Sequence, residues 1–304
     1  MAKTEAPKID VYQTVTDAIV AALEAGGVRP WVKGWAETGG LQLRENGQEY
    51  RGVNQFLLGL IAASMGYTSP YWLTFKQAQA DGMTVRKGER GSLVVFTKRI
   101  AIKDDATGED KVIPILKHYT VFNLGQCDLQ EGREMKAKYQ AAAIAEARAK
   151  DRPVDVEAAL KATGAIVREG GDAAYYSPAL DFVQMPPFAA FTTSGGYVAT
   201  LAHELVHWTG HKSRCNRDQT GRFGTPSYAR EELVAELGAA MACARLGIAG
   251  EHIDNHAAYV GSWLKVLRSD KRAIFTASAQ AQSAVDFLLG AMSAEDAEPL
   301  PLAA

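Results

Sequence analysis

The spacing of apolar residues divides the chain into segments of different periodicity. Apolar side chains recur every three or four positions over residues 11–25 and 53–65, and this spacing predicts two amphipathic helices. Downstream, runs rich in β-branched and aromatic residues are separated by Gly- and Asp-rich turns. We expect strands there at residues 93–97, 98–103 and 117–122, which makes the first half α+β.

The second half has a different pattern. Short β-type runs at 175–177 and 180–185 are bounded by prolines, whereas 194–210 and 228–236 have helical periodicity. Between the halves, an Ala-rich, charged segment predicts a connecting helix, and the C-terminal segment lacks periodicity. The expected organisation is an α+β domain (1–128), a helical linker (129–153), a mainly helical domain with a small sheet (154–293) and a flexible tail (294–304).

The predicted helix at 194–210 carries the most informative motif, His203-Glu204-Leu205-Val206-His207. Residues four apart on a helix lie about 40° apart around its axis, so both imidazoles can point at one ion. Zinc in such sites takes three protein ligands and a water whose pKa falls to roughly 7, and Glu204 can accept the proton of that water. A pair of core histidines is the alternative.

A third ligand is expected from the acidic helical run at 228–236. Glu232 and Glu236 share one face at four-residue spacing. We expect Glu232 to bind the ion and Glu236 to bond the free nitrogen of one histidine. Glu231 and Glu236 are alternative ligands, and an acidic helix face in water is the non-functional alternative.

Three further residues near the motif are candidates for the site. Gly210 fits the longer pattern His-Glu-x-x-His-x-x-Gly-x-x-His, but Ser213 stands where the third histidine belongs. His211 is therefore a candidate alternative ligand, cleft residue or cap of the helix end. Tyr228 and Tyr259 are candidate oxyanion donors, although a buried tyrosine more often only packs.

The expected metal and substrate follow from this ligand set. Two imidazoles and a carboxylate favour Zn²⁺, and Mn²⁺ or Co²⁺ can occupy the same ligands. One of the short strands predicted between 175 and 185 is expected to be an edge strand beside the cleft. An extended peptide can add to such an edge as a further strand, so the sequence predicts a metallopeptidase.

Composition limits the class of protein. The 304 residues are 47% hydrophobic and 22% charged with a net charge of −2, which fits a globular protein of two ordinary domains. The first seven residues are polar and no apolar run approaches the length that spans a bilayer, so we expect a cytoplasmic protein without a membrane partner. The three cysteines are widely spread, which indicates reduced thiols.

A basic stretch in the first half indicates nucleic-acid binding. Between positions 76 and 103 there are seven basic residues and two acidic ones, and aromatic residues are interleaved before and within this stretch. Cations that follow a phosphate backbone, together with aromatic faces that stack on bases, permit sequence-independent binding of single strands. A solvated basic face is the alternative, because the whole chain is slightly acidic.

A series of motifs over nearly the whole chain resembles the ArdC-type antirestriction proteins carried by conjugative plasmids. In the first half these are Pro30-Trp31 with Trp35, Tyr50-Arg51-Gly52-Val53-Asn54, the stretches 69–78 and 85–89, and Val121-Phe122-Asn123-Leu124-Gly125-Gln126. In the second half they are Tyr175-Tyr176, Met185-Pro186 and the stretches 203–211 and 228–236.

The resemblance implies an N-terminal single-stranded-DNA-binding domain fused to a zincin-like metallopeptidase domain, a hydrolase that acts against host restriction when plasmid DNA enters a recipient. Both histidines and the base of the metallopeptidase pattern are present. Predicted DNA contacts lie at motif and basic positions: Trp31, Lys33, Trp35, Tyr50, Arg51, Asn54, Trp72, Lys76, Arg86, Lys87 and Arg90.

The expected partners are single-stranded DNA, bound largely without sequence preference, and a host protein substrate that the sequence does not name. Double-stranded DNA is a further candidate. Two alternative functions stay open: a non-catalytic protein that coats DNA and has a structural zincin domain, and a peptidase toxin that its DNA domain targets.

Overall fold

A computed structural model describes residues 10–25, 35, 38, 40–103, 110–139, 158–160, 162–191, 193–222, 224–248 and 257–290. The first helix, α1 (Val11–Glu24), begins where the Asp10 carboxylate accepts a hydrogen bond from the Gln13 N–H. The second, α2 (Val53–Met65), ends at Gly66 in the left-handed conformation. Both helices predicted for the first half are therefore confirmed to within one residue.

A four-stranded sheet packs beside α2. It contains β1 (Leu43–Arg44), β2 (Tyr71–Leu73), β4 (Ser92–Lys103) and β5 (Asp110–Asn123) in the order β1-β2-β5-β4. The strand β4 pairs with β5 over its full length, from Ser92 opposite Val121 to Lys103 opposite Asp110. The prediction of two separate strands at 93–97 and 98–103 was therefore wrong, because the long antiparallel partner keeps the backbone extended across both.

A smaller antiparallel pair extends the N-terminal unit, by which we mean the described residues from 10 to 139. The short helix α3 (Phe75–Ala80) starts at a capping box of Thr74 and Gln77 and leads into β3 (Met83–Val85). A 3-10 turn (Leu124–Gln126) connects β5 to β6 (Cys127–Leu129), which pairs with β3. The strand β6 crosses the expected boundary at 128.

The N-terminal unit continues beyond β6 to Tyr139, whose ring packs against Tyr71 at 5.0 Å. Most of the predicted linker, residues 140–153, and the predicted tail of 294–304 lie outside the described residues. The division into domains therefore stays a prediction.

The described residues from 162 to 290 form a three-stranded sheet and four helices. The strands β7 (Ile166–Glu169), β8 (Tyr175–Ser177) and β9 (Phe182–Met185) have the order β7-β9-β8. The strand β7 is parallel to β9, and β8 is antiparallel to it. After a 3-10 turn at Phe188–Ala190, the helices are α4 (Ser194–Thr209), α5 (Pro226–Arg245), α6 (Ala257–Ser269) and α7 (Ala273–Leu289).

The helix α5 lies at the centre of this half. All of its residues from 231 to 243 are buried, and it contacts α4, α6 and α7. None of the helices among the described residues is long and apolar enough to span a bilayer.

The two halves share one hydrophobic core. Val15, Ile19 and Leu23 of α1 belong to the same buried cluster as Trp263 of α6 and Leu233 of α5. The overall architecture is α+β, as the sequence predicted, but burial is continuous from the N-terminal helix to the C-terminal helices.

Ion pairs also join the halves, and two of them lie just before α2. Arg245 of α5 binds Glu49 with an Nη2–Oε2 distance of 2.8 Å, and Arg51 pairs with Asp286 of α7. Both arginines reach Asp286, because Arg245 Nη1 lies 3.3 Å from its other carboxylate oxygen. The start of α2 is therefore held against α5 and α7.

We expect Gly238→Ala to destabilise the protein. A methyl group at position 238 would lie 2.8 Å from Val206 of α4, so the two helices would have to separate. Overpacking of this kind costs about 1–3 kcal/mol, which thermal unfolding measures as a lower Tm.

Gly261→Ala in α6 is the matched control, since a methyl group there meets no atom within 4 Å. Removing a helical glycine at an open position stabilises by about 0.5–1 kcal/mol. Equal effects of the two substitutions would contradict the proposed close approach.

Candidate metal centre

The helix α4 presents one polar face to a cleft. Its N-terminus is fixed by Thr193, whose Oγ1 accepts a hydrogen bond from the Gly196 N–H at 3.0 Å, and its C-cap is Gly210. The residues of α4 that line the cleft follow helical spacing, and they are Gly196, Thr200, His203, Glu204 and His207. The opposite face, with Leu201 and Leu205, is fully buried.

The helix α5 brings a third donor to the two histidines. His203 Nε2 lies 3.6 Å from Glu232 Oε2, and His207 Nε2 lies 3.6 Å from Glu232 Oε1. All three donor atoms lie within 4.8 Å of one another. Bonds of about 2.0–2.1 Å at tetrahedral angles separate ligand atoms by about 3.4 Å, so the donor set fits a divalent ion with N and O ligands.

The remaining nitrogens of the histidines face two other carboxylates of α5. His207 Nδ1 is 3.1 Å from Glu231 Oε1, which is a hydrogen bond. His203 Nδ1 is 4.0 Å from Glu236 Oε2, and Glu236 is fully buried. A proton on Nδ1 directs the Nε2 lone pair of each ring toward the position between the three donors.

A loop after α4 holds Glu231 in place. The guanidinium of Arg217 donates to both oxygens of Glu231, from Nε at 3.0 Å and from Nη2 at 2.8 Å. It also donates to the Val206 carbonyl at 2.6 Å and to Thr209 Oγ1 at 2.8 Å. Gln219 Nε2 adds bonds to Glu231 Oε1 at 3.1 Å and to the His207 carbonyl at 2.7 Å.

Arg217 and Gln219 were missed by the sequence reasoning, because isolated polar residues in a loop give no periodic or motif signal. Their position depends on Gly210. A methyl group at residue 210 would lie 2.4 Å from Gln219 Nε2 and 2.9 Å from Arg217 Nη2. Gly210, which the sequence predicts as the end of the helix, therefore also leaves room for the loop that carries Arg217 and Gln219.

The charges of the site shift the pKa values of its members. Burial by itself lowers the pKa of His207, but the hydrogen bond with Glu231 and the charges of Glu204, Glu231 and Glu232 outweigh it and raise that pKa to about 9. Burial by itself raises the pKa of Glu231, but His207 and Arg217 lower it to about 2. Glu232 likewise has a pKa of about 2, because His203 and His207 outweigh its burial.

The cleft has a volume of about 1000 Å³ and is bordered by β8. Tyr175 and Tyr176 of this strand line the cleft, and β8 pairs only with β9 among the described strands. The prediction of an edge strand beside the site is therefore confirmed. Tyr228, in the first turn of α5, also lines the cleft and forms a hydrogen bond with Glu232.

The structure does not bring His211 into this group. Its Nδ1 lies 2.8 Å from Ser213 Oγ in the turn that follows α4, and it is not among the described residues that line the cleft. Of the three roles predicted for His211, which were alternative ligand, cleft residue and cap of the helix end, this placement fits the cap. The side chain of Tyr259 lies outside the described residues.

Four predicted DNA contacts are buried in the N-terminal unit. Trp35 and Tyr50 are each 3% exposed and Trp72 is 0% exposed. The Trp72 indole donates to Gln42 Oε1 at 2.7 Å. Asn54 accepts from the Val95 N–H and donates to the Val95 carbonyl, at 2.9 and 2.7 Å. The predicted DNA contacts at these four positions are corrected: the side chains hold the core and the sheet and present no face to bases.

The predicted basic contacts are mostly exposed. Lys76, Lys87 and Arg90 lie at the surface. Arg86 is also exposed but pairs with Glu89 at 2.8 Å, and Arg51 pairs with Asp286 between the halves. Trp31 and Lys33 lie outside the described residues.

Two family models match the chain. Residues 9–122 match the N-terminal domain of anti-restriction factor ArdC, and residues 154–280 match a zincin-like metallopeptidase. The protein y4eC of Sinorhizobium fredii is 41% identical over 297 residues, which are 94% of both chains. DNA primase TraC of Escherichia coli matches twice at 36% identity, over 91% and 93% of this chain. The chain spans only 27% and 20% of the length of those primases.

Solved structures of a plasmid protein have the same fold. The metal-free structure of the antirestriction ArdC protein from plasmid R388 is 46% identical with a TM-score of 0.79, over 92% of this chain and 97% of that one. The Mn(II)-bound structure is 43% identical with a TM-score of 0.73, over 96% and 100% of the two chains.

We expect Arg217→Met to weaken metal binding by roughly 10- to 100-fold, because Glu231 would lose its partner and no longer orient His207. Calorimetric titration of the metal-free protein with Zn²⁺ or Mn²⁺ measures this.

Arg214→Met is the matched control for that measurement. Arg214 belongs to the same loop, but it pairs with Asp181 at 2.5 Å and stacks on Trp208 at 3.8 Å. None of its hydrogen bonds to the described residues involves Glu231, Glu232 or either histidine of the site. Its loss should lower the Tm and leave metal affinity unchanged. Equal affinity losses in the two variants would show that the loop acts only through stability.

Metal binding should release a proton at neutral pH. A pKa of about 9 keeps His207 charged at pH 7.5 in the metal-free protein, and the ion requires the neutral ring. The apparent affinity should therefore fall about tenfold per unit as the pH drops from 8.5 to 7. Calorimetry in buffers of different ionisation enthalpy counts the released protons.

Glu231→Gln provides the comparison for proton release. The substitution removes a charge and a hydrogen bond that raise the pKa of His207, so fewer protons should be released at pH 7.5. An uptake of protons, or none released by the wild type, would contradict the assignment.

Proposed function

Because the chain belongs to the ArdC antirestriction family, we propose that it is a divalent-metal-dependent peptidase that binds single-stranded DNA and protects incoming plasmid DNA from restriction in the recipient cytoplasm. The observation that carries the proposal is the group of His203, His207 and Glu232 in a cleft beside an edge strand. Glu204 directly follows His203 and lies three residues, about one turn, before His207, and all three residues line the cleft.

The proposed ligands are His203, His207 and Glu232. The distances of 3.6 Å from the carboxylate to each imidazole support this set. Glu231 and Glu236 are proposed to orient the two rings through Nδ1, rather than to bind the ion.

The residues of the chain have separate tasks in peptide hydrolysis. When bound, a divalent ion would polarise the peptide carbonyl and acidify water. Glu204 accepts a proton from the attacking water and delivers it to the leaving amine. Tyr228, whose hydroxyl bonds Glu232 in this structure, is proposed to donate instead to the carbonyl oxygen as negative charge develops there. The backbone of β8 holds the peptide in an extended conformation.

We propose Zn²⁺ as the ion, since imidazole and carboxylate donors with tetrahedral spacing suit it. Mn²⁺ and Co²⁺ are compatible with the same donors, and the R388 protein has a Mn(II)-bound structure.

DNA binding is proposed for the exposed basic residues of the N-terminal unit. Lys76, Lys87 and Arg90 carry the charge that neutralises phosphates, and Arg86 adds to it in part because it already pairs with Glu89. Contacts of this kind do not depend on base sequence, and double-stranded DNA is a further candidate ligand. Binding would hold the peptidase near host proteins that act on the entering DNA.

Glu204→Gln is expected to abolish peptide hydrolysis and protection of transferred DNA without loss of metal or DNA binding. The amide keeps the shape of the side chain but cannot accept the proton. The measurement is the fraction of conjugated, unmodified DNA that survives in restricting recipients that express each variant, together with metal and DNA affinities of the purified proteins.

A triple variant with Lys76, Lys87 and Arg90 changed to Gln is the counterpart. It should bind DNA more weakly, and its DNA affinity should fall less steeply with salt concentration, while the metal site stays intact. Full protection by Glu204→Gln, with loss of protection only in the triple variant, would contradict the proposal that protection requires peptide hydrolysis. It would support the alternative of a protein that protects DNA by coating it.

A further inference from the structure

The cleft carries a net negative charge. Five carboxylates line it, and no Lys or Arg is among its described lining residues. A bound divalent ion and Arg217, which lies behind Glu231, would together supply three positive charges if both histidines are neutral. Five carboxylates would therefore leave a net charge of −2. The five lining carboxylates are Asp172, Glu204, Asp218, Glu231 and Glu232.

Two of these carboxylates lie away from the proposed ligands. Asp172 is exposed, three residues before β8, and Asp218 is exposed in the loop that follows α4. Asp218 accepts hydrogen bonds from the Thr220 N–H at 3.0 Å and from its hydroxyl at 2.6 Å, which lower the pKa of the carboxyl. One negative charge therefore lies beside the edge strand, and the other lies in the loop that carries Arg217.

The geometry of the cleft selects an extended chain. A peptide paired with β8 would alternate its side chains between the sheet face and the opposite wall. Part of the lining is apolar, with Pro186, Ala190 and Phe191, so the cleft also accepts hydrocarbon stems. Lys and Arg combine a long apolar stem with a terminal charge that can reach a carboxylate.

We infer that the cleft takes extended peptide segments rich in Lys or Arg, the chemistry of protein segments that contact nucleic-acid phosphates. This inference rests on the proposed function and deepens it by naming the substrate class. The same charge repels phosphate, so DNA and peptide would occupy different surfaces of the protein.

The test measures binding rather than turnover. The full chain with Glu204→Gln is titrated with fluorescent peptides of equal length in which alternate positions are Lys, Gln or Glu. The Lys peptide should bind about tenfold more tightly than the Glu peptide at low salt, and the difference should shrink as salt is added.

A double change, D172N/D218N, should reduce the ratio of Lys-peptide to Glu-peptide affinity by about three- to tenfold. Asn at 218 keeps an acceptor oxygen for Thr220, so the loop is preserved. The matched control is Glu131→Gln with Glu134→Gln, which removes two exposed carboxylates outside the cleft and should leave the ratio unchanged.

Equal affinity for the three peptides, no binding of any of them, or an unchanged ratio in D172N/D218N would overturn the inference. Failure of the proposed function is a separate result. It would appear as wild-type protein that hydrolyses none of the peptides, whichever of them the Glu204→Gln protein binds.

Discussion

Helices α4 and α5 approach so closely at Gly238 that an added methyl group would lie 2.8 Å from Val206. This contact fixes the separation of the two helices and the register between them. Glu232 lies six residues before Gly238, about 9 Å along the axis of α5. At that height it meets His203 and His207, so packing in the core determines the distances between the donors.

The three glutamates of α5 show how one buried helix can carry several charges. Each carboxylate faces a different nitrogen: Glu232 faces Nε2 of both rings, Glu231 faces Nδ1 of His207, and Glu236 faces Nδ1 of His203. Burial of a carboxylate is costly unless it is paired. The guanidinium of Arg217 offsets that cost for Glu231, and its loop is therefore part of the site.

The motif at residues 50–54 was predicted to contact DNA, but its side chains have structural roles. Its residue types favour DNA contact, yet Asn54 bonds both backbone groups of Val95 and Tyr50 is buried. Arg51 pairs with Asp286 in the other half. These side chains join the sheet, α2 and α7, so the exposed basic residues beyond the motif are the better candidates for DNA contact.

The sequence by itself determined the helix that carries His203 and His207, its end at Gly210, an edge strand at one of two positions between residues 175 and 185, and the α+β class. These follow from local periodicity, turn residues and a short motif, which depend on neighbours in the chain. Only the tertiary structure decided that Glu232 faces both Nε2 atoms, that Arg217 holds Glu231, and that Trp72 is in the core. Those outcomes depend on contacts between distant segments, where burial and helix register override the preference of any single residue.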